Sequence, residues 1–328
     1  MLMDRRTFMG FAALTAGYGL RCTSATAQTN FPNGPVRLVV PYPPGGVVDV
    51  VARNWAEAMR RYGTVVVENV SGGGGTIGAA TVARSRADGQ TVLFGETGCL
   101  IISPSLLKPA PYDPIADFAP VSMLFSADNL MVVNPDLPVK TLAEFISYAK
   151  APENKVAYAS AGIGTSTHLT GELFKQLTGA SNIVHVPYRG AGPALVDVMA
   201  GIVPMCTPNV TTQILDYHRA GKLRILAVCS AARLKIAPEI PTASETLPGM
   251  IMRIVGGVIV PAKTPDTIVS QLAQMNQAAV KDERLVMSLN NAGLELRTDL
   301  SVAAAREFLK QESDRLHPIM KMAGIQAQ

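Results

Sequence analysis

The strongest constraint on this chain is an alternation: short β-branched runs and helix-period apolar patterns follow one another from Val36 almost to the C-terminus. Each run-helix-run unit asks for two parallel strands and a crossover helix, so the pattern predicts an α/β protein built on parallel sheet. Val36 to Pro41 reads as the first strand. The turn Pro43-Pro44-Gly45-Gly46 then opens a helix in which Val48, Val51, Ala52, Trp55, Met59 and Tyr62 recur at helical spacing before Gly63 ends it. Thr64 to Val70 is a second strand, Gly72 to Gly75 a glycine turn, and Thr76 to Arg86 a helix. Thr91 to Phe94, after the Asp88-Gly89 turn, is the third strand.

A loop rich in proline and aspartate, from Pro109 to Pro120, leads into a second series. Its strands are expected at Val121 to Phe125, Leu130 to Asn134, Val156 to Ser160, Ile183 to Pro187, Ile202 to Cys206 and Leu223 to Cys229. Helices are expected at Thr141 to Lys150, Ser166 to Leu177, Pro193 to Ala200 and Thr212 to Arg219. Another proline-rich passage, Pro238 to Pro248, precedes a strand at Ile254 to Val260 and two terminal helices, which lack a second half of their own and are placed back on the first domain. Two α/β domains follow, 28–124 with 250–328 and 125–249, joined by crossings near residues 122–130 and 240–252. Bending a few residues in each crossing closes a cleft without breaking either core. A chain of 328 residues, 48% hydrophobic and 16% charged, has enough apolar material for both.

The first 27 residues read as a leader: Asp4-Arg5-Arg6-Thr7-Phe8-Met9, an apolar run from Gly10 to Leu20, and Ala25-Thr26-Ala27 as a small-x-small cleavage site before Gln28. The arginine pair resembles the twin-arginine export signal, although an ordinary secretory leader is also positively charged at its start. Cleavage predicts a periplasmic protein carrying 26 basic and 24 acidic side chains, a net charge of +2 against +4 for the full chain. That balance argues against a nucleic-acid partner, which calls for a basic face. Beyond the leader no apolar run approaches the ~20 residues of a membrane span. Cys99, Cys206 and Cys229 sit in apolar neighbourhoods without C-x-x-C spacing and read as buried small hydrophobes. His168, His185, His218 and His317 have no metal-ligand spacing, so no metal is expected.

Three strands run through small-residue loops straight into helices: Pro43-Pro44-Gly45-Gly46, Ala161-Gly162-Ile163-Gly164-Thr165-Ser166 and Arg189-Gly190-Ala191-Gly192-Pro193. A helix N-terminus leaves N–H groups unpaired and carries roughly +0.5 charge, which makes it a ready anion site, and glycine lets an anion approach the backbone. Glycines at such turns equally serve as tight connections. Gly73 to Gly78 fits G-x-G-x-x-G, with Glu96 after the next strand where a ribose-binding acid would stand. That supports an alternative, an exported NAD- or flavin-binding oxidoreductase. The match is weak, because four consecutive glycines satisfy the pattern easily. There is no G-x-S-x-G, no P-loop and no H-E-x-x-H.

The stretch from Val40 to Arg53, V-P-Y-P-P-G-G-V-V-D-V-V-A-R, resembles the opening signature of the periplasmic solute-binding receptors of tripartite tricarboxylate transporters, often called Bug-type receptors. The resemblance continues through Val67-Glu68-Asn69, Tyr112-Asp113-Pro114, Asp117-Phe118-Ala119-Pro120, Tyr158-Ala159-Ser160, Gly164-Thr165, His168-Leu169, Val186-Pro187-Tyr188-Arg189-Gly190 and Pro241-Thr242. It covers essentially the whole chain after the leader. It implies a type II periplasmic-binding-protein fold, two α/β domains with a ligand cleft and two hinge crossings, and a monomer without catalysis or cofactor. Such a receptor captures a small organic carboxylate for membrane permease subunits. The resemblance also implies that the carboxylate is held by the first-domain Pro-Gly-Gly loop and the second-domain Gly-Thr loop, partly through water. Candidate contacts on the first side are Tyr42, Pro44, Gly45, Gly46, Asp49 and Thr97. On the second they are Ser160, Gly164, Thr165, His168, Arg189 and Asn209. This chain departs from the family pattern at Ile254-Val255-Gly256-Gly257 and at Thr207-Pro208-Asn209, and both departures bear on which acid is bound.

Overall fold

A computed structural model describes residues 31–322, so the leader expected at residues 1–27 lies outside the described part. The fold is α/β with two domains, each on its own mixed sheet. The first sheet takes β1 (Val36–Val40), β2 (Val65–Asn69), β3 (Thr91–Glu96) and β4 (Phe118–Asp128). The chain then enters a second sheet with β5 (Leu130–Val133), β6 (Ala157–Ser160), β7 (Val184–Pro187), β8 (Met205–Cys206) and β9 (Arg224–Val228). It returns with β10 (Arg253–Pro261) and β11 (Glu295–Leu296), giving the orders β11-β4-β10-β3-β1-β2 and β7-β6-β8-β5-β9.

Helices α1 (Val47–Met59) and α2 (Thr76–Ala83) connect the parallel strands β1, β2 and β3. After β3 a wide turn over Gly98–Ile102 leads into the short α3 (Ser103–Ser105). The second sheet carries α4 (Leu142–Lys150), α5 (Ser166–Thr178), α6 (Ala191–Met199) and α7 (Thr212–Arg219). The described residues end on α8 (Asp266–Ala279), α9 (Glu283–Asn291) and α10 (Val302–Met322). No helix of the described residues is long and apolar enough to cross a membrane.

Three expectations are corrected. The sheets are mixed rather than parallel, because β10 pairs antiparallel with both β3 and β4, and β5 antiparallel with β8 and β9. A strand arriving from the other sheet needs no crossover helix, so nothing forces it to run parallel. The C-terminal part holds three helices and a strand rather than two helices. Asp282 caps α9 by accepting from Arg284 N–H, which splits the first helical stretch, and Glu295–Leu296 covers the β4 edge. The strand expected from Ile202 shrinks to Met205–Cys206.

One apolar cluster lies under α1 and α8, where the rings of Trp55, Phe94 and Phe125 follow one another at 6.1 Å centroid spacing. A second cluster lies under α6 and α7, and a third runs between the sheets from Leu93 and Cys99 to Met131 and Leu169. Cys99, Cys206 and Cys229 are buried and unpaired, which suits small apolar fillers.

The β4–β10 pairing carries register shifts at Gly256/Gly257 and Val258/Ile259. Backbones come so close there that a Cβ on Gly257 would lie 2.0 Å from the Ser122 carbonyl oxygen. Backbone cannot retreat as a flexible side chain does, so Gly257→Ala is expected to cost about 1–3 kcal/mol or more of unfolding free energy. Chemical denaturation checks this, and wild-type stability in that variant would mean the ladder slides freely.

Candidate functional site

The parallel strands β1, β6 and β7 all end in small-residue loops that open α1, α5 and α6. Each loop places a glycine in the left-handed region, Gly45 at φ +84°, Gly164 at +79° and Gly190 at +118°. These loops converge. A Cβ on Gly190 would lie 4.0 Å from the Pro43 ring, and the Ser103 hydroxyl, beyond β3, lies 2.8 Å from the Gly164 carbonyl oxygen. The N–H groups of Gly46, Val47 and Val48 at α1, and of Ser166 and Thr167 at α5, make no hydrogen bond within the described residues. Unpaired N–H groups at a helix start are chemically suited to an anion.

On the first-sheet side, Pro44, Gly45 and Gly46 are exposed at the loop tip, whereas Asp49 is buried. Its carboxylate accepts from Gly45 N–H at 2.9 Å, Asn69 Nδ2 at 2.8 Å and Arg53 Nε at 3.0 Å. Burial pushes its pKa up, but the Arg53, Gly45 and Asn69 donors outweigh that and hold it below the ordinary carboxylate value. Asn69 also donates to the Tyr42 carbonyl at 2.9 Å, so β2, α1 and the loop are tied at one point. Asp49 therefore shapes the loop with its charge already compensated.

Tyr42 turns its hydroxyl toward buried Glu96, with the Gly74 carbonyl 3.3 Å away. Glu96 also accepts from the N–H groups of Gly98 at 2.5 Å and Cys99 at 3.2 Å. Burial raises its pKa although these three donors oppose the rise. An acid so enclosed has no oxygen to offer a ribose, and Gly73–Gly75 forms a tight turn against Cys99 and Ser103, so the dinucleotide alternative loses both its features. Thr97 is fully buried and exchanges hydrogen bonds with both backbone groups of Val255, locking β3 to β10.

The second-sheet wall is a dense polar knot. Thr165 caps α5 by accepting from His168 N–H at 3.3 Å and donates to the Gly162 carbonyl at 2.7 Å. The Gly164 N–H donates to His168 Nδ1 at 3.2 Å, which assigns the hydrogen of that ring to Nε2. His168 stacks on His185 at 4.0 Å, and His185 Nε2 meets the Ser160 hydroxyl at 2.7 Å. Tyr158 stacks on the far side of His185 at 4.8 Å and donates to Glu172 at 2.7 Å, which also pairs with Lys175 at 2.9 Å. His185, Ser103 and Glu172 carry no local signal in the chain, because only long-range pairing brings them to the loop.

Arg189 is exposed at the start of α6 with no hydrogen bond or ion pair among the described residues. Asn209 is half-buried and donates to Asn129 Oδ1 at 3.1 Å, bracing the β4–β5 crossing. No group of three or more His, Cys, Asp or Glu among the described residues can hold a metal ion.

The family model described as "Tripartite tricarboxylate transporter family receptor" matches residues 48–325. Protein BugT of Bordetella pertussis is 37% identical over 240 residues, 72% of either chain. Among solved structures, Rpa4515 of R. palustris with adipate superposes with a TM-score of 0.83 at 32% identity, covering 90% of this chain and 98% of that one. MatC of Rhodopseudomonas palustris with bound malate gives 0.82 at 28% identity, covering 88% and 99%.

The stacked imidazoles carry a pH prediction. Burial lowers His168 from 6.5 to about 4, helped by the Lys175 charge. Burial, the His168 ring and Lys175 lower His185 to about 3 against the opposing Glu172 charge. In an unfolded chain both bind protons below pH 6.5, whereas the folded form does not. Their share of the stability is therefore complete above pH 6.5 and declines as the pH falls from there toward 4. An NMR titration of the two imidazoles between pH 7.5 and 4.5 checks this, and a midpoint near 6.5 for either ring would show that it is not held neutral.

Proposed function

The chain belongs to the tripartite tricarboxylate transporter receptor family, and from that membership we propose that it is an extracytoplasmic receptor closing on a small organic carboxylate for the permease subunits of such a transporter. The observation that carries this reading is the meeting of three glycine-bearing helix starts from two sheets, two of them with unpaired N–H groups, beside uncharged side chains. In this reading residues 31–128 with 253–322 belong to one lobe and residues 130–228 to the other, and the crossings between β4 and β5 and between β9 and β10 act as hinges. The protein works as a periplasmic monomer after loss of residues 1–27, binds without catalysis and needs no cofactor.

The N–H groups of the Gly45-Gly46 loop and of the α5 start take one carboxylate, directly or through water, with Ser160, Thr165 and His168 as the opposing wall. The ligands named for two structural relatives, adipate and malate, are both dicarboxylates, which supports the same class here. Arg53 and Lys175 are paired with Asp49 and Glu172, so among the described residues Arg189 is the free cation beside these loops. A ligand with one anchored carboxylate and a second at the Arg189 rim fits this charge supply. A tricarboxylate brings a further charge, and burying it unpaired costs several kcal/mol.

Malate or adipate is therefore expected to bind at least tenfold more tightly than citrate at neutral pH, about 1.4 kcal/mol. Isothermal calorimetry of the three acids checks this, and citrate at the head of the ranking would overturn it. A second expectation concerns Gly46, whose φ is −75° and whose added Cβ would meet only the Pro43 carbonyl at 3.7 Å. Gly46→Val is sterically tolerated by the fold, yet places two methyl groups where an anion approaches the backbone. It should lose at least tenfold in affinity while melting close to wild type. Unchanged affinity would remove this loop from the site.

A further inference from the structure

Three observations about Ser103 stand outside the ligand contacts described above. First, the residue is buried, and its single hydroxyl lies 2.8 Å from two carbonyl oxygens, that of Gly74 in the first-sheet glycine turn and that of Gly164 in the second-sheet loop. Second, both glycines are at positive φ, +63° and +79°, and a Cβ on either would fall 2.4 Å or 2.6 Å from the Ser103 hydroxyl oxygen. A Cβ on Gly74 would also lie 2.6 Å from the Ile163 carbonyl oxygen. Third, Ser103 is the only donor to the Gly164 carbonyl among the described residues, and Gly164 is buried.

A hydroxyl has one hydrogen, so it cannot fully serve both carbonyls at once. Gly74 is half-buried, whereas Gly164 is buried and has no other donor among the described residues. When the lobes part, water reaches the Gly164 carbonyl. When they close, that carbonyl is dehydrated, and the Ser103 hydrogen is the replacement.

We propose that Ser103 is the closure contact of this receptor: its hydroxyl swings from Gly74 to share the Gly164 carbonyl, holding the lobes together without touching the ligand. It is a positioning residue, and this role rests on the two-lobed receptor reading given above. The glycine turn at residues 72–75 acquires a purpose beyond chain reversal, because only a bare backbone at Gly74 lets the second-sheet loop come this near. Ligand exchange requires this contact to break, so its loss acts on the rate at which a bound acid escapes.

The test compares wild type with Ser103→Ala, using malate and adipate as probes in stopped-flow binding and small-angle X-ray scattering of ligand-free and saturated protein. Ser103→Ala is expected to raise the dissociation rate about tenfold, to leave the association rate within about twofold, and to expand the scattering envelope of the saturated form. A melting temperature that falls while dissociation rate and scattering stay at wild-type values would mean the hydroxyl only supports the local fold, and the proposal fails. Should Ser103→Ala not fold, Ser103→Cys keeps the volume with a poor donor and is read in the same way. If wild type binds neither acid, the carboxylate reading fails by itself. The same scattering comparison is then made with the small solute that a thermal-shift screen shows to stabilise wild type: equal envelopes of the two saturated forms overturn the contact, and a larger variant envelope supports it.

Discussion

A helix that begins where a strand ends leaves its first N–H groups without intrahelical acceptors, and here three such beginnings point at one region. Their fields, roughly +0.5 charge each, are only partly offset. Asp49 in the first turn of α1 is the one acidic side chain in the first turns of α1, α5 and α6, and its oxygens are taken up by Gly45, Asn69 and Arg53. Thr165 serves one N–H of α5, and the α6 cap is a glycine with no side chain to give. The imbalance is an attraction for an anion built from backbone alone, and the rest of the site keeps the three ends in place.

The supporting side chains achieve this without adding charge. Glu172 and Lys175 neutralise each other, and His168 and His185 stay uncharged at neutral pH because burial penalises their protonated forms. A charged wall would compete with the ligand or overbind it. A neutral, densely hydrogen-bonded wall fixes geometry instead, since a polar group that already has partners has little reason to move. The same logic governs Glu96, which spends its oxygens on Gly98, Cys99 and Tyr42 and so anchors the β3 end against the loop after β1.

Much of this architecture is legible in the amino-acid sequence. The strands and helices around Val36, Thr76, Thr141 and Ser166 follow from periodicity, and the three glycine loops follow from composition at strand ends. Strand direction is not legible, because β10 is antiparallel through pairing with β3 and β4, which are far away in the chain. Glu96 stands at the right spacing for a ribose acid, yet spacing carries no information about which oxygens are already taken. Thr97 has a hydroxyl suited to a ligand, but Val255, 158 positions away, occupies it. His185 and Ser103 are silent in the sequence for the same reason, since their roles exist only once two sheets are brought together.

Closing such a cleft poses a donor–acceptor problem that the ligand solves only in part. A carboxylate has acceptors and no hydrogen to give, so in the proposed binding mode it pairs with the N–H groups of α1 and α5 but does nothing for a carbonyl dehydrated by the same movement. An unpartnered buried carbonyl costs about 1–3 kcal/mol, enough to erase about fivefold to a hundredfold of the affinity. The protein must therefore bring its own donor to the carbonyl side, and that donor must lie on the opposite lobe so that it arrives only on closing. Ser103 meets both conditions, and Gly74, whose carbonyl it shares, is only half-buried. Ligand and hydroxyl thus answer opposite halves of one desolvation cost, with the acid pairing the amides and the serine pairing the carbonyl.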